Sequence, residues 1–112
     1  IKGIVNIQEF DGANNLITAY SAQKFDVYIM YGEDLTKTYF DDDVETSFDG
    51  SFEFSFLEPG KYRLFFYEDH TFSEVTANND LGNLDKTVFI DVEISDKKEV
   101  VDLGTMSSYK RF

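Results

Sequence analysis

Phe48-Asp49-Gly50-Ser51-Phe52-Glu53-Phe54-Ser55-Phe56-Leu57-Glu58-Pro59-Gly60-Lys61-Tyr62-Arg63-Leu64 is the stretch that decides the fold of this chain. Within it, Phe52, Phe54 and Phe56 alternate with Ser51, Glu53 and Ser55. An extended strand sends alternate side chains to opposite faces, so this one has a dry face and a wet face. Glu58-Pro59-Gly60 ends the run, because proline presets a turn's φ and glycine accepts a positive one. Lys61 to Glu68 then restart as a strand with Tyr62, Leu64 and Phe66 on one face. Two alternating runs joined across Pro-Gly predict a hairpin.

The same period of two recurs outward from this block. Residues 2–10 read as a first strand, and 11–22 as a small, polar connection with one apolar insert. Residues 23–31 form a strand with Phe25, Val27, Ile29 and Tyr31 on one face; residues 36–40 suit a short edge strand. Residues 69–84 are the longest irregular stretch, with room for a short strand or a helical turn at 72–77. Residues 87–95 turn Val88, Ile90, Val92 and Ile94 inward, and residues 99–106 close the pattern with Val101 and Leu103. The tail 107–112, SSYKRF, looks loose. No segment has the length and period of a crossover helix, so a parallel βαβ sheet is not expected. The expectation is an all-β, seven- to eight-stranded, mostly antiparallel β-sandwich. It forms one domain over 1–112, with its ordered core at about 2–106.

Composition agrees and excludes much. Apolar residues make up 42% of the 112, and aromatics 17%, from 12 Phe and 7 Tyr with no Trp. That is globular rather than disordered, and aromatics suit a pleated surface. Acidic residues outnumber basic ones 22 to 10, a net charge of −12. A field of that sign repels nucleic-acid backbones and anionic membrane surfaces. With no Cys, disulfides, thiolate zinc sites and cysteine nucleophiles are excluded, and the single His excludes a multi-histidine metal site within the chain. No apolar run reaches the roughly 18 residues of a transmembrane helix. The sequence starts at Ile1, so any targeting segment lies out of view.

The 48–64 block resembles a signature of the transthyretin-like, carboxypeptidase-regulatory-like (prealbumin-like) β-sandwich domains: a D-G-x-F-x-F strand followed by L-x-P-G-x-Y-x-L. Gly3-Ile4-Val5 is similar to the family's opening strand, and Phe25-Asp26-Val27-Tyr28-Ile29 to its second. The likeness extends over most of 2–104, with its specific motif confined to 48–64. It implies a non-catalytic accessory module of a secreted or cell-envelope bacterial protein, such as an outer-membrane lipoprotein. It carries over no catalytic residue. A related branch, in Gram-positive pilins and adhesins, forms a Lys–Asn isopeptide bond assisted by a carboxylate. Lys2 and Glu68 sit at comparable places here, but the last strand offers Asp102 and no Asn.

Four side chains stand out as a binding surface: Tyr28, Met30, Phe65 and Tyr67 alternate away from the expected core face. Tyr39 and Phe89 are candidates to join them. A contiguous exposed apolar patch marks an interaction site, unless loop 69–84 covers it. The expected partner is a protein or a neighbouring domain, with a glycan stacking on Tyr28 or Tyr67 as an alternative. The acidic run Asp41-Asp42-Asp43, with Glu45 and Asp49, has the oxygen chemistry for calcium, which makes a calcium-stabilised adhesion-type domain the other alternative; it has no EF-hand spacing, and its default is a solvated edge. Asn78, Asn79 and Asp80 form a weaker oxygen cluster. His70 has Asp69 and Ser73 nearby but no nucleophile-elbow motif, so a loop histidine is expected. No cofactor and no enzymatic activity are expected.

Overall fold

A computed structural model describes residues 1–32, 40–55, 57–78 and 85–111 of the chain. Among them run β1 (Lys2–Phe10), β2 (Leu16–Ser21), β3 (Asp26–Tyr31), β4 (Asp42–Glu45), β5 (Ser51–Glu53), β6 (Gly60–Asp69), β7 (Asp85–Ile94) and β8 (Asp102–Arg111), with the short helix α1 (Phe72–Ala77) between β6 and β7. They form two four-stranded sheets. Sheet B has the order β4-β3-β6-β7 and is antiparallel throughout. Sheet A is built around β1. On one side β1 pairs antiparallel with β5 through residues 2–4 and with β2 through residues 6–10; on the other it pairs parallel with β8. The architecture is an all-β sandwich of eight strands, antiparallel except for the β1–β8 pair.

The core lies between the sheets. Val5 comes from sheet A, and Val27, Ile29, Leu64 and Phe66 come from sheet B; each is at most 1% exposed. Phe52 and Phe54 meet them, with Val92 and Ile94 from β7. Fully burying one such side chain contributes about 1.5–3 kcal/mol, so the alternation read from the sequence is also the main source of cohesion.

The Pro-Gly block departs from the expected hairpin. β5 and β6 do not pair; β5 joins β1 in sheet A, while β6 joins β3 and β7 in sheet B. The chain therefore arches from one sheet to the other between Glu53 and Gly60, and the Phe52 and Tyr62 faces meet across the core instead of lying side by side. Tyr62 buries its ring and donates its hydroxyl to the Glu58 carbonyl, which ties the arch to the start of β6. A turn signal specifies that the chain reverses, not whether the reversal stays within one sheet. Phe56 lies outside the described residues.

Other boundaries shift too. The polar connection at 11–22 contains β2, and the acidic segment contains β4. The strand expected at 36–40 falls largely outside the described residues; Phe40 itself is not in a strand. The expected last strand moves to Asp102–Arg111, and the tail expected to be loose is ordered through Arg111. Its register with β1 runs from Asn6↔Ser107 to Phe10↔Arg111. Ser108 is buried, and Tyr109 stacks on Phe10 with centroids 4.8 Å apart. On the far side of β8, the Tyr109 and Arg111 amides donate to the carboxylates of Glu68 and Asp69, both at 2.9 Å. Polar, charged SSYKRF looks loose only when these partners, some forty residues away in β6, are out of sight.

Two local devices hold the frame. Buried Thr46 joins the β2–β3 connection to the segment after β4: its hydroxyl accepts from the Phe25 amide and donates to the Ala22 carbonyl. Helix α1 has a capping box: Thr71 Oγ1 accepts from the Glu74 amide, and Glu74 accepts from the Thr71 amide.

Candidate functional site

Cross-strand register places the aromatic residues. Tyr28 in β3 lies opposite Phe65 in β6, and Phe65 lies opposite Phe89 in β7. Their neighbours along each strand, Val27, Leu64 and Phe66, point into the core, so this row stands on the outer face of sheet B. Tyr67 lies two residues along β6 from Phe65, and Met30 two residues along β3 from Tyr28, so both share that face. Met30 pairs with Arg63, and Arg63 with Asp91, in the adjoining row. The four residues singled out from sequence are thus brought together, and Phe89 joins them; Tyr39 lies outside the described residues.

The cluster is packed rather than spread out. The Tyr28 and Phe65 rings stack at 4.9 Å and 17°. Tyr67 stands edge-on to Tyr28 at 5.7 Å and 66°, and to Phe65 at 5.8 Å and 78°. Phe89 leans on Phe65 at 6.0 Å, and Phe40 on Tyr28 at 4.8 Å. Phe65 therefore differs from the expectation of an exposed ring: it is 8% exposed, walled in by its neighbours. The solvent meets the surrounding rings instead, with Tyr67 43%, Phe89 54% and Phe40 46% exposed. Tyr28 and Met30 are half-buried. Aromatic pairs of this kind add about 0.5–1.5 kcal/mol beyond their buried area, so part of the patch contributes to stability as well as to display.

The charge around the rings is ordered. Asp43 in β4 is the cross-strand partner of Tyr28, and Asp26 precedes Tyr28 by two residues, so both carboxylates share the aromatic face. Burial, followed by Asp26, Tyr67 and Asp43, pushes the Tyr28 hydroxyl above its ordinary pKa. At the other edge, the Arg63 guanidinium lies 5.2 Å from the Phe89 ring centre. Its Nε and Nη2 donate to the two carboxylate oxygens of Asp91 at 2.7 and 3.1 Å. That hydrogen bond lowers the Asp91 pKa and raises that of Arg63. Arg63 and Phe40 were not visible as site residues in the sequence, and Asp43 stood out only as part of the acidic run, not as a neighbour of the aromatic face. Their only signal is register, which a single strand does not carry.

The remaining candidates do not converge. Strand alternation sends Asp42 and Asp43 to opposite sides of β4, and the Asp49 carboxylate accepts from Ser51 at the next turn. Among the described residues no three His, Asp or Glu side chains are placed to hold a metal ion. Asn79 and Asp80 lie outside those residues. His70 Nδ1 sits 3.5 Å from Glu74 Oε2, while the carboxylate of Asp69 faces the Arg111 amide instead. Lys2 and Asp102 are register partners, but both are exposed, and Glu68 accepts from Tyr109 at the opposite end of β8. The three groups of an isopeptide centre are therefore not assembled.

No family model and no curated protein matches the chain. Among solved structures, one described as (S)-allantoin synthase superposes with a TM-score of 0.51 at 15% identity, over 96% of this chain. The chain spans 41% of that structure's length. A likeness at this identity concerns the course of the backbone and carries neither substrate nor active site with it.

Proposed function

We infer that this chain is a non-enzymatic interaction module of the transthyretin-like, carboxypeptidase-regulatory-like kind, belonging to a secreted or cell-envelope bacterial protein. The family reading rests on the 48–64 motif. The working surface is the outer face of sheet B, and the single observation that supports it is the contiguous ring cluster Phe40–Tyr28–Phe65–Tyr67–Phe89. Strand alternation normally gives a solvent-facing sheet surface to polar residues. Here its middle row is aromatic, and an apolar patch facing water is stable in association with a partner. A protein partner is preferred to a glycan because the rings do not form a flat platform: Tyr67 is inclined by 66° and 78° to its two neighbours.

Site-specific photocrosslinking tests this reading. A benzophenone amino acid replaces Tyr67 or Phe89 in the protein expressed in its own cells, with position 4 on sheet A as the control. The expected result is discrete protein adducts from positions 67 and 89 and none from position 4. Adducts from position 4 alone would remove the outer face of sheet B as the working surface.

A further inference from the structure

The aromatic face carries a cation site that is filled from within and a second of the same make-up in which the described residues supply no cation. In the first, Phe89 offers a ring face and Asp91 a carboxylate, and Arg63 occupies both, 5.2 Å from the ring centre and 2.7 Å from the nearer oxygen. In the second, Tyr28 and Tyr67 offer the rings, and Asp26 and Asp43 the carboxylates. Among the described residues neither Asp26 nor Asp43 has a salt-bridge partner. Two carboxylates and two tyrosines gathered on one sheet surface make a negative potential over electron-rich rings, the combination that draws a cation to an aromatic face.

We propose that the Tyr28–Tyr67 end of this face docks an arginine-bearing segment of a partner protein, with the guanidinium over the exposed Tyr67 ring and paired to Asp26 and Asp43. This rests on the reading of the face as an interaction surface and adds the chemistry of what it takes. Arginine fits better than lysine because its flat guanidinium stacks on a ring and forks onto a carboxylate at once, as Arg63 does on Phe89 and Asp91. The chain's net charge of −12 adds long-range steering of a basic partner. Met30 and Phe40 flank the site and supply apolar area for the rest of such a segment.

The test is an NMR titration of the labelled full chain with a capped Gly-Arg-Gly-Arg-Gly peptide. The control peptide carries citrulline in place of arginine, which keeps the flat shape and removes the charge. The expected result is saturable shifts of the Tyr28 and Tyr67 ring resonances, at least about fivefold weaker with citrulline. The double change Asp26→Asn with Asp43→Asn should weaken arginine-peptide binding by a similar factor, and Tyr67→Ser should abolish the ring shifts. Shifts that never saturate and spread equally over Asp91, Glu93 and β8 would mean diffuse charge attraction only, and would overturn the proposal. Saturation by a neutral maltohexaose where the arginine peptide gives none would overturn it in favour of a glycan. Photocrosslinks from position 67 without peptide binding would remove the basic partner and leave the interaction face standing. Absence of both would remove the two together.

Discussion

Replacing Gly50 by alanine tests the seam of sheet A, where β1 passes from pairing with β5 to pairing with β2. Gly50 has φ +81, and a Cβ there would stand 2.3 Å from the Val5 carbonyl oxygen. That carbonyl accepts from the Ala22 amide at 3.0 Å, while the Val5 amide donates to the Gly50 carbonyl at 2.9 Å. Val5 is 0% exposed, so it has no solvent side to move toward. The left-handed backbone costs alanine roughly 1–2 kcal/mol, and losing or bending two buried hydrogen bonds costs about 1 kcal/mol each. The sum is about 3–4 kcal/mol, against the roughly 5–15 kcal/mol that holds a domain of this size folded. The expected fall in melting temperature is about 12–25 °C. Two companion substitutions separate the causes. Gly32 also has a positive φ, +91, but open space around its Cβ position, so Gly32→Ala carries the backbone cost alone, about 1–2 kcal/mol. Gly12 has neither restraint, and Gly12→Ala should be neutral or slightly stabilising. Urea unfolding followed by far-UV circular dichroism and tyrosine emission gives all three values. A Gly50→Ala protein no less stable than Gly32→Ala would refute the argument, because the Val5 contact would then cost nothing.

Thr46→Val keeps the shape but leaves the Phe25 amide and the Ala22 carbonyl without their partner, and should cost about 2–4 kcal/mol in urea unfolding; Thr46→Ser should recover most of it. Ending the chain after Met106 removes buried Ser108, the Phe10–Tyr109 stack and the amides held by Glu68 and Asp69, for a loss on the order of 4 kcal/mol, read as an earlier and broader thermal transition. The carboxyl of Glu74 is lowered from 4.5 to about 2, chiefly by its backbone hydrogen bond with Thr71. Its support of α1 is therefore complete above pH 4.5 and fades as the pH falls toward 2, which a pH titration of the Thr71 amide shift should follow; a midpoint near 4.5 would mean that the capping box does not form in solution.

Much of the fold was legible because it depends on alternation alone. Val27 and Ile29, Tyr62 and Leu64, and Val92 and Ile94 sit in the core as their period predicts. What failed was pairing. The Pro-Gly turn was visible, but whether β6 lies beside β5 or across from it depends on β1, β3 and β7, which compete for the same strand edges. The 107–111 segment has little apolar pattern of its own, and its order comes from β1 on one side and two carboxylates of β6 on the other. The aromatic surface was half legible. Parity placed Tyr28, Met30, Phe65 and Tyr67 off the core, but only register could show that Phe65 is buried among them.

The amino-acid sequence by itself determined the class of fold, because side chains in a strand alternate whatever the strand pairs with. It also determined the acidic balance and which residues could not lie in the core. The tertiary structure decided which strand lies beside which, the parallel docking of β8, and the row that sets Asp43, Tyr28, Phe65 and Phe89 side by side. Those are relations between segments distant along the chain. They are fixed by the competition of all strands for backbone partners, and no single stretch of sequence carries the result.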